Sequence, residues 1–229
     1  MDSKYCYPGT DILINKLGIQ DATKLHEMER QITSARAMDL EHSPVKESYD
    51  LAHLQQIHKR LFGDLYVWAG QIRDVRIAKG NMFCYPEYIQ PMADEIFAKL
   101  LSNKHLKHLN RTAFIEHIAY YLGEVNALHP FREGNGRTQR IFFTQLAREA
   151  GYEPNFSKMD KSQLLQADIA SMAGSYGALE SLLNTHLEAV RKPLIKDRLA
   201  AAKIEADRLN AERAAGQRII EPNKHDRGR

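Results

Sequence analysis

Cysteine is nearly absent from this 229-residue chain. Cys6 and Cys84 are the whole complement, too few for a disulfide framework, so the fold must rest on a packed apolar core of the kind built in a reducing cytosol. Long apolar runs are missing too: no stretch approaches 18 consecutive apolar residues, which excludes a spanning helix. The chain does not open on a charged segment followed by an apolar one, so the cytosol is the expected compartment, with delivery into another cell as the alternative. Nor does one sign of charge dominate, with 32 Lys and Arg against 29 Asp and Glu and a net charge of +3; a polycationic nucleic-acid binder is excluded for the chain as a whole. There is no internal repeat. Charge gathers only at the end, where residues from Arg191 onward hold eleven Lys and Arg against six Asp and Glu.

What is there centres on twelve residues, His129 to Arg140, reading His-Pro-Phe-Arg-Glu-Gly-Asn-Gly-Arg-Thr-Gln-Arg. Gly134, Asn135 and Gly136 precede an apolar periodic segment, so bare backbone N–H groups face an anion at a helix N-terminus, where the helix dipole also favours negative charge. Arg137 and Arg140 are three apart, hence on one helix face, where two guanidinium forks can hold further phosphate oxygens. Glu133 offers one carboxylate, enough for Mg²⁺ when substrate phosphates supply other ligands. His129 opens the loop as a candidate general base. Taken singly these have ordinary readings: a Gly-Asn-Gly run is usually a turn, and arginines opening a helix are usually solvated.

Together they resemble the signature of the Fic family, His-x-Phe-x-Asp/Glu-Gly-Asn-Gly-Arg-x-x-Arg, at every fixed position. The resemblance implies transfer of AMP from ATP to a Tyr, Ser or Thr hydroxyl of a target protein, with pyrophosphate released. It implies His129 as base, Glu133 as Mg²⁺ ligand, Gly134, Asn135 and Gly136 as the anion cradle, Arg137 and Arg140 as phosphate clamps, and Phe131 as a core anchor for the loop. Relatives that transfer phosphate, UMP or phosphocholine are the alternative, and the Gly-Asn-Gly-Arg core speaks against the phosphate-transferring type. A binding module using the basic tail on nucleic acid is a third reading, disfavoured by the interspersed acids and the lack of stacking aromatics.

Around the motif the pattern predicts an all-α Fic fold: a single helical domain over residues 1–190 and a charged helical extension with a basic tail over 191–229. A short helix over Asp11–Leu17 and a longer one capped by Asp21 through about Glu41 form a lid. Leu51, Leu54, Ile57 and Leu61 then recur at helical spacing up to Gly63. His53 and His58 flank that stripe at a spacing that does not suit metal ligands, and belong to the core. The only strand-like stretch lies between Trp68 and Tyr88: Ile72–Ile77 and Met82–Tyr85 about a Gly80-Asn81 turn, a hairpin at about 71–88. Fic proteins carry a flap there whose edge pairs with the target, which implies Lys79 and Gly80 near the nucleotide and Phe83 bracing the target side chain.

A helix over Tyr88–Leu101 turns Ile89, Met92, Ile96 and Leu100 inward, and His105 and His108 follow in a polar, solvated loop. Asn110 caps Arg111–Ala127, which delivers the chain to His129; the motif helix runs to Gly151. Asp160 caps a helix through Ala173, and another covers Leu179–Val190; they wall an adenine pocket in which Gln166 pairs with the base edge. A last helix is expected over Leu194–Ala215.

The resemblance also bears on partners. Family members carry an inhibitory helix, Ser/Thr-x-x-x-Glu-Gly/Asn, whose Glu pairs with the second motif arginine, here Arg140. Ser43 with Glu47 and Thr112 with Glu116 do not match it, so the Glu is expected from a small antitoxin in trans. The expected target is a subunit of a type II topoisomerase. No membrane partner is expected.

Overall fold

Four helices begin on a short polar side chain that accepts from a backbone N–H of the first turn: Asp21 from Lys24, Asp50 from His53, Asn110 from Ala113 and Asp160 from Gln163. Each satisfies a donor that the helix itself cannot pair. The computed structural model describes residues 4–46, 48–79 (Lys79 by its backbone alone), 81–190 and Arg208. Met1–Val190 and Arg191–Arg229 are separate compact units; the expected helix over 194–215 and the tail lie outside the described residues, Arg208 excepted.

In chain order the first unit contains α1 (Ala22–His42), α2 (Leu51–Phe62), β1 (Ala78–Lys79), β2 (Asn81–Met82), α3 (Pro86–Ser102), α4 (Arg111–Leu128), α5 (Asn135–Ala150), β3 (Tyr152–Pro154), α6 (Lys161–Ser171), α7 (Gly177–His186) and β4 (Leu187–Ala189). This is the helical architecture that the periodicity predicts. Its core gathers Leu54, Ile57 and Leu61 of α2, Phe114, Ile118, Tyr121 and Val125 of α4, and Phe142, Phe143 and Leu146 of α5, all essentially without exposure. α4 and α5 pack on each other, so the motif loop joining them is held on the core from both ends.

The structure corrects several expectations. Residues 11–17 form no helix: Leu13 bridges Cys6, and Ile14 N–H donates to the Tyr5 carbonyl, closing a small extended loop. Seven residues are too few for a helix nucleus without support, and the loop uses these backbone groups instead. The flap hairpin is shorter than expected, with Ala78 opposite Met82 and Lys79 opposite Asn81, so Asn81 lies in a strand rather than the turn. Gly80 lies outside the described residues.

In α3, Met92 is exposed and Ala93 takes the buried place. His105 is not solvated: it lies in a left-handed turn with its ring against Tyr49. α7 stops at His186, and Leu187–Ala189 pairs with Tyr152–Pro154 as a second small ribbon. That pairing joins segments far apart in sequence, with no hairpin turn to announce it.

Candidate active site

α4 delivers the chain to His129 in a left-handed conformation, φ 45° and ψ 60°, at its C-cap. There the imidazole Nδ1 lies 3.1 Å from the Asn126 carbonyl oxygen. A carbonyl only accepts, so Nδ1 carries the proton and the lone pair sits on Nε2, the form a general base needs. The ring stacks on Phe83 of the flap, centroids 3.7 Å apart.

The loop that follows is fixed from within. Asn135 is buried and clasps Phe131 twice: its Oδ1 accepts from Phe131 N–H at 2.9 Å and its Nδ2 donates to Phe131 O at 2.7 Å. Phe131 is fully buried and stacks on His58 at 4.0 Å, which is the anchoring expected of it. Gly134 sits at φ 81°, and a Cβ there would lie 2.2 Å from Phe62 Cζ; only glycine fits. Asn135 and Gly136 then open α5, which aims its unpaired N–H groups and positive dipole end outward.

His58, assigned to the core by its spacing, does more than fill space. Gly70 N–H donates to its Nδ1 at 2.8 Å, so Nε2 carries the proton and donates to the Glu133 carbonyl at 2.9 Å. Burial pushes its pKa down to about 4, which keeps it neutral and the tautomer fixed. The Glu133 side chain is 46% exposed, with Oε1 accepting from Gly134 N–H at 2.8 Å.

The two arginines part company. Arg140 lines the main cavity with Gly136, and burial lowers its pKa, partly offset by Asp168. Among the described residues no hydrogen-bond or ion-pair partner reaches it. Arg137 turns to α1 instead, where it pairs with the buried Glu29 and donates to Thr33 Oγ1 at 3.1 Å; its guanidinium stacks over Phe62 at 4.8 Å. Glu29 also accepts from Tyr66 O–H at 2.5 Å. Arg137, expected as a phosphate clamp, thus ties α5 to α1 through the buried Glu29 carboxylate and also lies 3.6 Å from Glu133 Oε1.

The cavity, about 1190 Å³, is lined by Phe83, Asn126, His129, Arg132, Glu133, Asn135, Gly136 and Arg140, and on the α6 side by Leu164, Leu165, Asp168, Ile169 and Met172. Gln166 is exposed and is not among the lining residues; the α6 turn that carries Leu165 and Ile169 inward carries it outward. Those two are 41% and 39% exposed, an apolar wall suited to the flat face of a purine. Of Lys79 only the backbone, in β1, is described.

The model of the Fic/DOC family matches residues 48–147. A 42% identical relative, named probable protein adenylyltransferase y4lH, from Sinorhizobium fredii, aligns over 78% of this chain and 93% of its own length. The chain belongs to the Fic/DOC family. Protein adenylyltransferase VbhT of Bartonella schoenbuchensis is 40% identical over 80% of this chain and 38% of its own. Among solved structures, BepC of Bartonella tribocorum with bound AMPPNP superposes with a TM-score of 0.76 at 28% identity, covering 82% of this chain and 97% of that one. A Bep effector Fic domain from Bartonella quintana with bound ADP gives 0.77 at 29%, covering 82% and 95%. The Fic/DOC fold thus accounts for the helical unit, with the motif loop of this chain at its cavity.

Proposed function

We propose that this chain is a protein adenylyltransferase, moving AMP from ATP to the hydroxyl of a Tyr, Ser or Thr on a target protein. The observation that carries the reading is the placement of a base and an anion cradle on one cavity: His129 with its lone pair on Nε2, and the α5 N-terminus with Gly136 and Arg140. Relatives of 37–42% identity bear the adenylyltransferase name. In the reaction His129 takes the proton of the incoming hydroxyl, whose oxygen attacks the α-phosphorus as the bond to pyrophosphate breaks. The α5 N–H groups and Arg140 stabilise the charge that develops on the phosphate oxygens. Leu165 and Ile169 hold the base.

The donor set fits Mg²⁺ in the usual way of nucleotide enzymes, one exposed carboxylate beside an anion cradle. Glu133 would hold it, and the ion when bound neutralises phosphate charge. The flap is the target surface: a second, apolar groove of about 490 Å³, rimmed by Met82, Tyr85, Tyr88 and Met92, shares Phe83 and Met172 with the main cavity. Control comes in trans from a small antitoxin whose Glu pairs with Arg140. In support, the cavity runs on from Arg140 past Thr144 to Arg148, beside Ala37, Leu40 and Glu41 of α1, roughly two helical turns of open surface. The chain acts in the cytosol, on a subunit of a type II topoisomerase.

The test is labelled ATP given to a bacterial lysate. Label should pass to protein from α-³²P and not from γ-³²P, and His129→Ala should abolish it while still binding nucleotide. Transfer from the γ position, or undiminished transfer by His129→Ala, overturns the assignment.

A further inference from the structure

The base of the flap is built around a cation without a counter-ion. Arg73 is 2% exposed, and its guanidinium gives its hydrogen bonds to main-chain carbonyls. Nε donates to His129 O at 2.7 Å, Nη1 to Val75 O at 2.7 Å, and Nη2 to Cys84 O at 2.5 Å and Leu128 O at 3.4 Å. Its own backbone N–H donates to Pro130 O at 2.9 Å. Among the described residues no carboxylate pairs with it. A charge buried this deeply is tolerated only when its donors are used. Two of those acceptors, Leu128 O and His129 O, stand at the C-terminal end of α4, where the helix dipole is negative and the carbonyls have no donor within the helix.

We infer that Arg73 is a positioning residue for His129, holding the backbone that aims the imidazole and fixing the height of the flap above it. His129 occupies left-handed φ/ψ, which is unfavourable for any residue bearing a Cβ and persists where the surroundings over-determine it. Arg73 supplies that determination, bonding to the carbonyls of Leu128, His129 and Pro130 in succession. From this backbone Nδ1 reaches Asn126 O. The same guanidinium grips Val75 on the incoming arm of the flap and Cys84 on the outgoing arm, next to the Phe83 ring that covers the imidazole. A lysine cannot replace it, because one ammonium on a flexible stem does not span four acceptors. The inference rests on His129 being the base. Its consequence is selective, because the bonds of Arg73 end at Pro130 and the phosphate cradle begins beyond it.

The experiment compares full-length wild type, Arg73→Lys and Arg73→Met. The first readout is AMP transfer from α-³²P-ATP to lysate protein as a function of ATP. The second is the long-range ¹H–¹⁵N spectrum of the imidazoles, with the His129 signal identified from His129→Ala. In wild type His129 should be protonated on Nδ1 and His58 on Nε2. In Arg73→Lys, kcat should fall roughly 10- to 100-fold, the scale expected for a misplaced catalytic group, while KM for ATP stays within about twofold. The His129 tautomer signature should be lost and that of His58 kept.

Unchanged kcat and an unchanged His129 signal overturn the inference. So does a parallel loss of ATP affinity, His58 signature and melting temperature, which marks a general support of the fold. Should neither variant fold, wild-type spectra with His129 protonated on Nε2 overturn it as well. If wild type transfers no AMP but the spectral split holds, the activity reading fails and the positioning role stands.

Discussion

Protonating His58 on Nδ1 would set two donors against each other, the new N–H and that of Gly70. The ring therefore stays neutral in the fold, its pKa held by burial at about 4 against 6.5 in an exposed chain. A histidine whose folded pKa is depressed contributes its full stability above the unfolded value. That contribution is lost as pH falls from about 6.5 toward about 4, by roughly 3 kcal/mol in all. Urea titrations between pH 7.5 and 5 should show stability falling with acid, and His58→Asn, though less stable at pH 7.5, should flatten that slope. His53, whose pKa is also lowered by burial, adds a slope of the same sign.

Gly134→Ala is the sharper perturbation of the same loop. Its Cβ would have to displace the Phe62 ring while holding a positive φ, at a cost of about 2–5 kcal/mol. Loss of AMPPNP binding together with a lowered melting temperature is the expected result, read by calorimetry. At this scale the sequence was legible where residues are contiguous: His129, Glu133 and the Gly-Asn-Gly run stand on one loop as their order implies. Arg73 and His58 escaped because the partners that tie them to the motif loop lie 56 and 75 positions away, and neither carries a local pattern that reveals a carbonyl acceptor.

Helix α1 is fastened to α5 by Glu29, which serves Arg137 and Tyr66 together. Periodicity placed α1 correctly and its cap at Asp21, yet gave no reason to single out one glutamate among its many charged residues, since its partner is 108 positions on. Arg137 was expected to clamp phosphate beside Arg140; the spacing puts both arginines near one face and could not show that Glu29 on the adjoining helix pairs with the first. Glu29→Ala removes the acceptor of Tyr66 O–H and the nearest acceptor of Arg137, which keeps only Thr33 Oγ1 and the more distant Glu133. It should cost roughly 3 kcal/mol, at the low end for a broken buried pair, because the Arg137 side chain stays 31% exposed. Chemical denaturation measures this, and Glu29→Gln, which keeps an acceptor for Tyr66, should lose less. The flap was legible as an element and not in extent. Its arms look like strands, but Arg73 N–H goes to Pro130 O and Cys84 N–H to Ala127 O, so the end of α4 and the loop after it take the bonds that a longer hairpin would need.

For the molecule as a whole, the end of the first unit is set by the β3–β4 ribbon rather than by a helix. Val190 N–H donates to Gly151 O at 2.9 Å, and Glu188 accepts from Asn155 Nδ2 at 2.8 Å. Truncation after Val190 should leave the melting temperature and AMP transfer of the full chain nearly unchanged. Truncation after His186 strips β4 from β3 and should lower the melting temperature by roughly 2–4 °C, as a loss of about 1 kcal/mol does in a domain of this size. Any DNA affinity that the full chain shows and the Val190 truncation lacks would mark the basic tail as a device separate from transfer.

One guanidinium draws together main-chain segments around residues 75, 84 and 128, and this has a kinetic consequence for the whole site. The flap arms and the motif loop cannot loosen one at a time without stranding a buried charge, so they open as a single cooperative unit. In native-state deuterium exchange, the amides of Arg73, Cys84, His129 and Phe131 should then share one opening free energy although they belong to different elements. Distinct values would mean that the flap breathes on its own. A shared value means that target entry and alignment of the base are gated by the same event.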